Sequence, residues 1–270
     1  MKTCLWCKEN ENKVSFDLEA HILPQKLGSK ELCEEECDEC NQYFGKRNSP
    51  KEPSIDIILK ETFILSMNQQ VNTLLSFQEK IGRKKAKELY GSIITKNTVQ
   101  RLGRDTEFFS IDSKKRTIKS KRPFKYHLIN QTVFTNLIKR GLLKAGFEKA
   151  HKAGFLSQLY GGFYSEFYDY IRNYVRWNKG QVKVLYLRKK NGAVYMTVDT
   201  AIKPSVLLHD IENNYLKFDI LGHVFAVSLG QSNLTEENFL KEYINDIQFQ
   251  PVKINSFMDI DIFNKVFGHK

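Results

Sequence analysis

Two Cys-x-x-Cys units, Cys4-Leu5-Trp6-Cys7 and Cys37-Asp38-Glu39-Cys40, stand 29 residues apart near the start of the chain, with a histidine between them. Thiolates at this spacing are zinc ligands, and two such units supply the four that a closed tetrahedral site needs. Cys4, Cys7, Cys37 and Cys40 are therefore expected to hold one structural zinc. The first residues, MKTCLWCKENENK, lack the apolar core of an export signal. A cytoplasmic location and reduced thiols are the expectation, so metal binding is favoured over disulfides. Cys33 is left over and sits in no such unit. A zinc cross-link at both ends would give a fold to a segment too small to bury a core.

The histidine, His21, lies in AHILPQKLG, residues 20–28. Beside Ile22 and Leu23 alone it would read as a core histidine. An imidazole titrating near neutrality is also well suited to general-base work.

Cys4-x-x-Cys7, then AHILPQKLG, then Cys37-x-x-Cys40-Asn41 with Phe44-Gly45, resembles the HNH endonucleases of the ββα-metal class. The resemblance covers residues 4–45 and rests on several elements in the right order. It implies that His21 is the general base taking a proton from the water that attacks a phosphodiester. It implies that Asn41, on the helix after the second cysteine pair, is a catalytic residue and a ligand of one divalent cation, Mg²⁺ or Mn²⁺. The four cysteines are then structural, and His21 is not a zinc ligand.

Two departures from the family pattern stand out. The family usually has a carboxylate immediately before the histidine; here that position is Ala20, and Glu19 lies one residue earlier. Successive strand residues face opposite ways. Glu19 is therefore expected as a metal ligand only if the chain bulges or the strand ends before it. The asparagine that often precedes the second cysteine pair is also missing. Glu34 or Glu36 is the candidate to orient the base or bind the metal, against the plainer reading of a solvated acidic loop.

Positioning these groups calls for short strands and a helix. KVSFDL, residues 13–18, alternates enough for a short strand, Leu27-Gly28 is a turn signal, and CNQYFGKR reads as one or two helical turns stopped by Gly45. NSPKEPS, residues 48–54, is a linker candidate. Residues 55–79 have helical apolar spacing. Residues 80–126 lack periodicity and are expected as loops and short strands. Residues 131–160 and the aromatic-rich 163–177 read as helices. Beyond residue 180, VKVLYLR, AVYMTV, YLKFDI and HVFAVSL read as strands, with Asn191-Gly192 a hairpin turn. The expected fold is α+β: a zinc-stabilised ββα-metal module over 1–50, a mainly helical basic region over 51–180 and a β-rich region over 181–270. The last is a candidate to form one domain with the second.

Charge separates along the chain. Residues 80–126 carry a net +11 and residues 127–190 a net +9, against −3 over 1–50, −2 over 51–79 and −4 over 191–270. A merely solubilising surface would mix signs, so the middle is expected to meet a polyanion. Nucleic acid, foremost double-stranded DNA, is the expected partner, with Arg83, Lys84, Lys85, Lys114, Lys115, Arg116, Lys121 and Arg122 on phosphates. Tyr164, Tyr168, Tyr170, Tyr174 and Trp177 alternate with Arg172 and Arg176. Packing into the core is the stronger reading for that stripe, and stacking on unpaired bases the weaker. His127 and His151 are weak candidates for phosphate contacts.

No apolar run is long enough to cross a membrane. The acidic C-terminal region is the candidate surface for a protein partner or a homo-oligomer. The functional expectation is metal-dependent DNA hydrolysis, with restriction or anti-phage defence in bacteria as the setting the resemblance implies. The rivals are a non-catalytic zinc-dependent DNA-binding protein, favoured by Ala20, and an RNA-cleaving nuclease of the same family.

Overall fold

The computed structural model describes residues 1–47, 52–90, 93–95, 106–112, 117–122, 131–190, 204–212, 215–229, 236–255 and 259–260. Along the chain, a single 3-10 turn over Gln25–Leu27 precedes α1 (Asp38–Gly45), α2 (Ile55–Ile81) and α3 (Arg83–Tyr90). A hairpin of β1 (Phe109–Asp112) and β2 (Thr117–Ser120) leads to α4 (Gln131–Lys152), α5 (Phe155–Tyr160) and α6 (Glu166–Val175). Then come β3 (Val184–Lys189), β4 (Val206–Glu212), β5 (Tyr215–Ile220), β6 (His223–Ser228), α7 (Glu236–Ile244) and β7 (Phe249–Lys253). The fold is α+β.

The five C-terminal strands form an antiparallel sheet in the order β4-β5-β6-β3-β7. Alternation along β3 sends Val184 and Tyr186 to the main core, and Leu185 and Leu187 to a smaller cluster with Phe239 and Tyr243 of α7. The main core lies between the sheet and α2 and α4. Helix α4 comes very close to the sheet at Gly146, where a Cβ would stand 2.6 Å from Phe218 Cε1. Only glycine fits there without displacing the ring.

The N-terminal segment shares this core. The Trp6 indole packs edge-on to Phe44 at 5.4 Å between centroids and against Phe147 of α4 at 5.7 Å. Its Nε1 donates to Glu148 Oε1 at 2.7 Å. Arg172 of α6 donates from Nε to the Leu5 carbonyl at 2.5 Å.

Several elements differ from the sequence expectation. Lys13–Leu18 forms no strand. The Asp38 carboxylate at the start of α1 accepts from Ser15 Oγ (2.5 Å), the Asp17 amide (3.2 Å) and the Leu18 amide (2.8 Å), while the Lys13 and Val14 amides turn back to the Asn10 carbonyl. A turn and a carboxylate thus take hydrogen bonds that a partner strand would otherwise supply. Residues 83–90 are a helix, not a loop; only Ala86 is buried among its described side chains, so no apolar stripe marks it. Residues 55–79 are one helix, capped by Ser54 Oγ accepting from the Ile57 amide at 3.2 Å. The 131–160 region breaks at Ala153-Gly154 into two. AVYMTV, Asn191-Gly192 and the start of the 48–54 linker lie outside the described residues.

Candidate active site and zinc cluster

Residues 20–22 and 31–33 run antiparallel, with a bridge between His21 and Leu32. The Ile22 amide donates to the Glu31 carbonyl (3.0 Å) and the Cys33 amide to the Ala20 carbonyl (2.8 Å). The connection turns at Gly28, whose φ of 97° suits a residue without a Cβ. Helix α1 follows at once. This is a small two-strand-and-helix unit, with pairing that stops at residue 20.

Alternation in the first strand decides which side chains share a face. Ala20 and Ile22 point into the core, at 3% and 1% exposure. Glu19 and His21 point the other way. Because Glu19 lies just before the paired residues, its carboxylate curls back to the imidazole, with Oε2 3.6 Å from His21 Nε2. Asn41 reaches the Glu19 backbone from α1, donating from Nδ2 to its carbonyl at 3.2 Å. His21 Nδ1 is buried and without a hydrogen-bond partner, so Nε2 is the nitrogen open to reaction. Burial lowers the imidazole below its ordinary range; Glu19 opposes this and Lys144 adds to it. At neutral pH the ring is in its proton-accepting form.

The four cysteines converge. The sulfurs of Cys4, Cys7, Cys37 and Cys40 all lie within 4.8 Å of one another. Cys7 Sγ and Cys37 Sγ are 3.7 Å apart, against an edge of about 3.8 Å for a tetrahedron of Zn–S bonds of about 2.3 Å. The amides of Trp6 and Cys37 both donate to Cys4 Sγ at 3.4 Å. Hydrogen bonds from Cys40 and Cys7 hold the Cys4 thiol low, while burial pushes Cys37 up to about 12. Hydrogen bonding with Cys4 and Cys7 likewise drives Cys40 upward. One thiolate served by its neighbours' protons is the arrangement a divalent cation would replace, so the donor set fits zinc.

A second group, Cys33, Glu36 and Glu148, also has metal-like proximity. It is built around an ammonium instead: Lys144 Nζ lies 3.2 Å from Glu36 Oε2 and 3.0 Å from Glu148 Oε2. Burial alone would lower Lys144, but the Glu148 and Glu36 carboxylates hold it well above its usual range. Burial also drives the Cys33 thiol upward, as befits an inert core cysteine. Glu36 is thereby committed to the core and does not orient His21; Glu34 is exposed. Nothing in the sequence marked Lys144: Glu148 lies one helical turn on, but Glu36 and the His21 carbonyl come from far back along the chain.

The remaining candidates scatter. Arg83, Lys84 and Lys85 are exposed on α3. Lys121 Nζ donates to the Thr106 carbonyl at 2.5 Å, and Arg122 lies 3.6 Å from Glu107. Lys114, Lys115, Arg116 and His127 fall outside the described residues. Tyr168 and Tyr174 are buried, in line with the core reading. Arg172 is buried on carbonyls and Asp169. His151 is engaged by Tyr168 Oη at 3.0 Å and by Glu35, a structural pairing. Among the described residues no helix is long and apolar enough to cross a membrane.

Four converging thiols, a histidine on the first bridged segment and an asparagine on the helix that follows all fall within the first 41 residues. The model of the HNH endonuclease family matches residues 4–51, the segment that carries every one of these groups. No curated protein and no solved structure matches the chain.

Proposed function

We propose that this protein is a metal-dependent endonuclease that hydrolyses DNA phosphodiester bonds. The observation that carries the reading is the Glu19 carboxylate beside His21 Nε2, with Asn41 of α1 bonded to the Glu19 backbone, inside the segment matched by the HNH family. His21 Nε2 accepts a proton from a water, whose oxygen then forms a bond to phosphorus as the leaving P–O bond breaks. Glu19, close to the ring, favours the imidazolium that results and supports its orientation. The Glu19 carboxylate and the Asn41 carboxamide oxygen are the groups that would hold Mg²⁺ or Mn²⁺. Such an ion supplies charge stabilisation for the phosphorane and the leaving oxygen. The four cysteines would hold a structural zinc that keeps α1 in register with the histidine strand.

Residues 51–180 are the proposed nucleic-acid-binding body, through α3 and the basic stretches around it, and residues 181–270 a β-rich platform. Restriction or anti-phage defence is the proposed setting, in the cytoplasm. Ala20 supports a second reading, a DNA-binding protein without catalysis, since the family's usual carboxylate position is an apolar core position here.

Purified wild type and His21→Ala are assayed on plasmid DNA, single-stranded DNA and RNA, with and without Mg²⁺ or Mn²⁺. Cleavage of DNA by the wild type alone, and only with metal, is expected. Undiminished cleavage by His21→Ala would refute the mechanism. Absence of cleavage with any metal would favour the binding reading, and RNA cleavage alone would change the substrate.

A further inference from the structure

Two aromatic rings, Tyr43 of α1 and the half-exposed Trp177, both lie against the Arg176 guanidinium. The Arg176 guanidinium carbon lies 3.7 Å from the Tyr43 ring centroid and 4.4 Å from the Trp177 ring centroid. Tyr43 sits two residues beyond Asn41 on the same helix. Arg140 donates to Tyr43 Oη at 2.7 Å and fixes that ring in turn.

The half-exposed ring is not a core residue. Trp177 is 49% exposed, whereas the chain's other tryptophan, Trp6, is fully buried. The turn that carries Trp177 is tied back to α6 by the Asn178 amide on the Tyr174 carbonyl (3.1 Å) and the Lys179 amide on the Asn173 carbonyl (2.8 Å). Asn178 adopts φ 55° to make this possible. Exposed Lys179 follows immediately. An indole held against a guanidinium on a turn that is tied back has part of its ordering cost met before any ligand arrives.

We propose that Trp177 is a stacking site for an unpaired nucleobase, with Arg176 and Tyr43 as its positioning residues and Lys179 beside it for the adjoining phosphate. This rests on the proposed nucleic-acid reading and sharpens it: the substrate carries an unstacked base near the module bearing His21 and Asn41. Bases inside a duplex stack on one another and show a protein only their edges, so an indole face selects a single strand, a loop or an extruded base. The choice among such ligands is sequence-tolerant, because every base has a π face.

The test is fluorescence titration, without divalent ions, of wild type, Trp177→Leu and Trp177→Phe with a fluorescein-labelled oligo-dT 20-mer and with a labelled blunt duplex of the same length. Trp177→Leu keeps an apolar side chain and loses the ring. It is expected to bind the single strand about tenfold more weakly, the order of worth of one stacked base, with duplex affinity unchanged. Trp177→Phe should keep most of the single-strand affinity. Tryptophan emission of the wild type should be quenched on binding oligo-dT, and the residual Trp6 emission of Trp177→Leu should not. Equal single-strand affinity in wild type and Trp177→Leu, or equal losses on both probes, would overturn the stacking site. Zinc content and melting temperature of the variants, if unchanged, place any loss at the surface. Failure of the nuclease reading looks different: no cleavage by the wild type, with these binding differences intact.

Discussion

Lys144 Nζ of α4 lies 3.4 Å from the backbone carbonyl of His21, 123 residues away in sequence. The same ammonium sits between the Glu36 and Glu148 carboxylates. A single buried cation on the helical body therefore touches the segment that bears the imidazole and the loop that leads into the second cysteine pair.

Lys144→Met should be strongly destabilising. It leaves Glu36 and Glu148 buried with no countercharge, a change that typically costs about 3–5 kcal/mol. Lys144→Met with Glu148→Gln should recover part of the loss, since one stranded carboxylate is removed. Urea denaturation of the three proteins checks this. Equal stability of Lys144→Met and wild type would show that the network contributes nothing net.

The cysteine cluster predicts one zinc per chain. Cys37→Ser should lose the metal and much of its stability, because Cys37 is fully buried and its amide also serves Cys4 Sγ. Metal analysis by atomic emission, with melting curves before and after chelator, measures both. A chain purified without zinc, or a Cys37→Ser protein with full zinc, would contradict the assignment.

The cysteine cluster was legible because its chemistry is written in local spacing, two thiols one turn apart and then two more, and the same local order made His21 and Asn41 the candidates. Their supports were not. Lys144 binds groups from the N-terminal loop, and Arg172 donates to Leu5 from 167 residues away. A sequence shows that such side chains are charged, not which ones fold together. Strands β4 and β7 were also missed. VLLHDIE mixes apolar and acidic residues, and FQPVK carries a proline on an edge strand, where the missing donor is tolerated. Residues 13–18 show the opposite error: a segment with strand-like alternation bonded to the Asn10 carbonyl and the Asp38 carboxylate instead of a partner strand.

Nucleic-acid binding should be electrostatic and weaken steeply with salt. Replacing Arg83, Lys84 and Lys85 together by Ala removes three exposed cations from α3 without touching the core. Duplex affinity should fall, and the slope of log K against log salt should flatten by about 0.9 for each phosphate that is no longer neutralised. Anisotropy titrations from 50 to 300 mM salt, roughly one Debye regime to the next, read this. An unchanged slope would place the footprint elsewhere on the chain.

Acid should unfold the sheet through His223. It is buried between Phe63 and Tyr186, with Nδ1 3.2 Å from Tyr186 Oη, and burial holds it down at about 3. The unfolded chain takes the proton near pH 6.5 and the folded chain does not. Stability is therefore highest above pH 6.5 and falls on acidification until about pH 3, by about 1.4 kcal/mol per unit from this group alone. His223→Gln keeps a partner for Tyr186 and removes the titration. Its stability, lower at pH 7.5, should depend less on pH than the wild type's between 6.5 and 4.5. Parallel slopes for the two proteins in urea melts would exclude His223 as the source.

The sharpest test of the active site is a pair of neighbouring substitutions. Glu19 faces His21, and Asn41 holds the Glu19 backbone; Ala20 faces the core at 3% exposure. Glu19→Ala should remove a candidate ligand from the exposed side while leaving zinc content and folding intact. Cleavage should then fall by orders of magnitude at low Mn²⁺ and recover partly at high Mn²⁺, since a lost ligand weakens binding of the ion before it weakens chemistry. Asn41→Ala should behave alike, with less rescue, because it also loosens the Glu19 backbone. Ala20→Glu places a carboxylate where the HNH pattern has one, but in this fold that position is enclosed. A buried, unpaired carboxylate costs several kcal/mol or stays protonated. Ala20→Glu should therefore lower stability and leave Mn²⁺ dependence no better than wild type. Manganese titrations of initial cleavage rate, run beside urea melts of each variant, separate ligand loss from unfolding. Tighter metal dependence in Ala20→Glu, together with full activity in Glu19→Ala, would mean that the strand presents position 20 to the metal and that the facing of this site has been assigned the wrong way round.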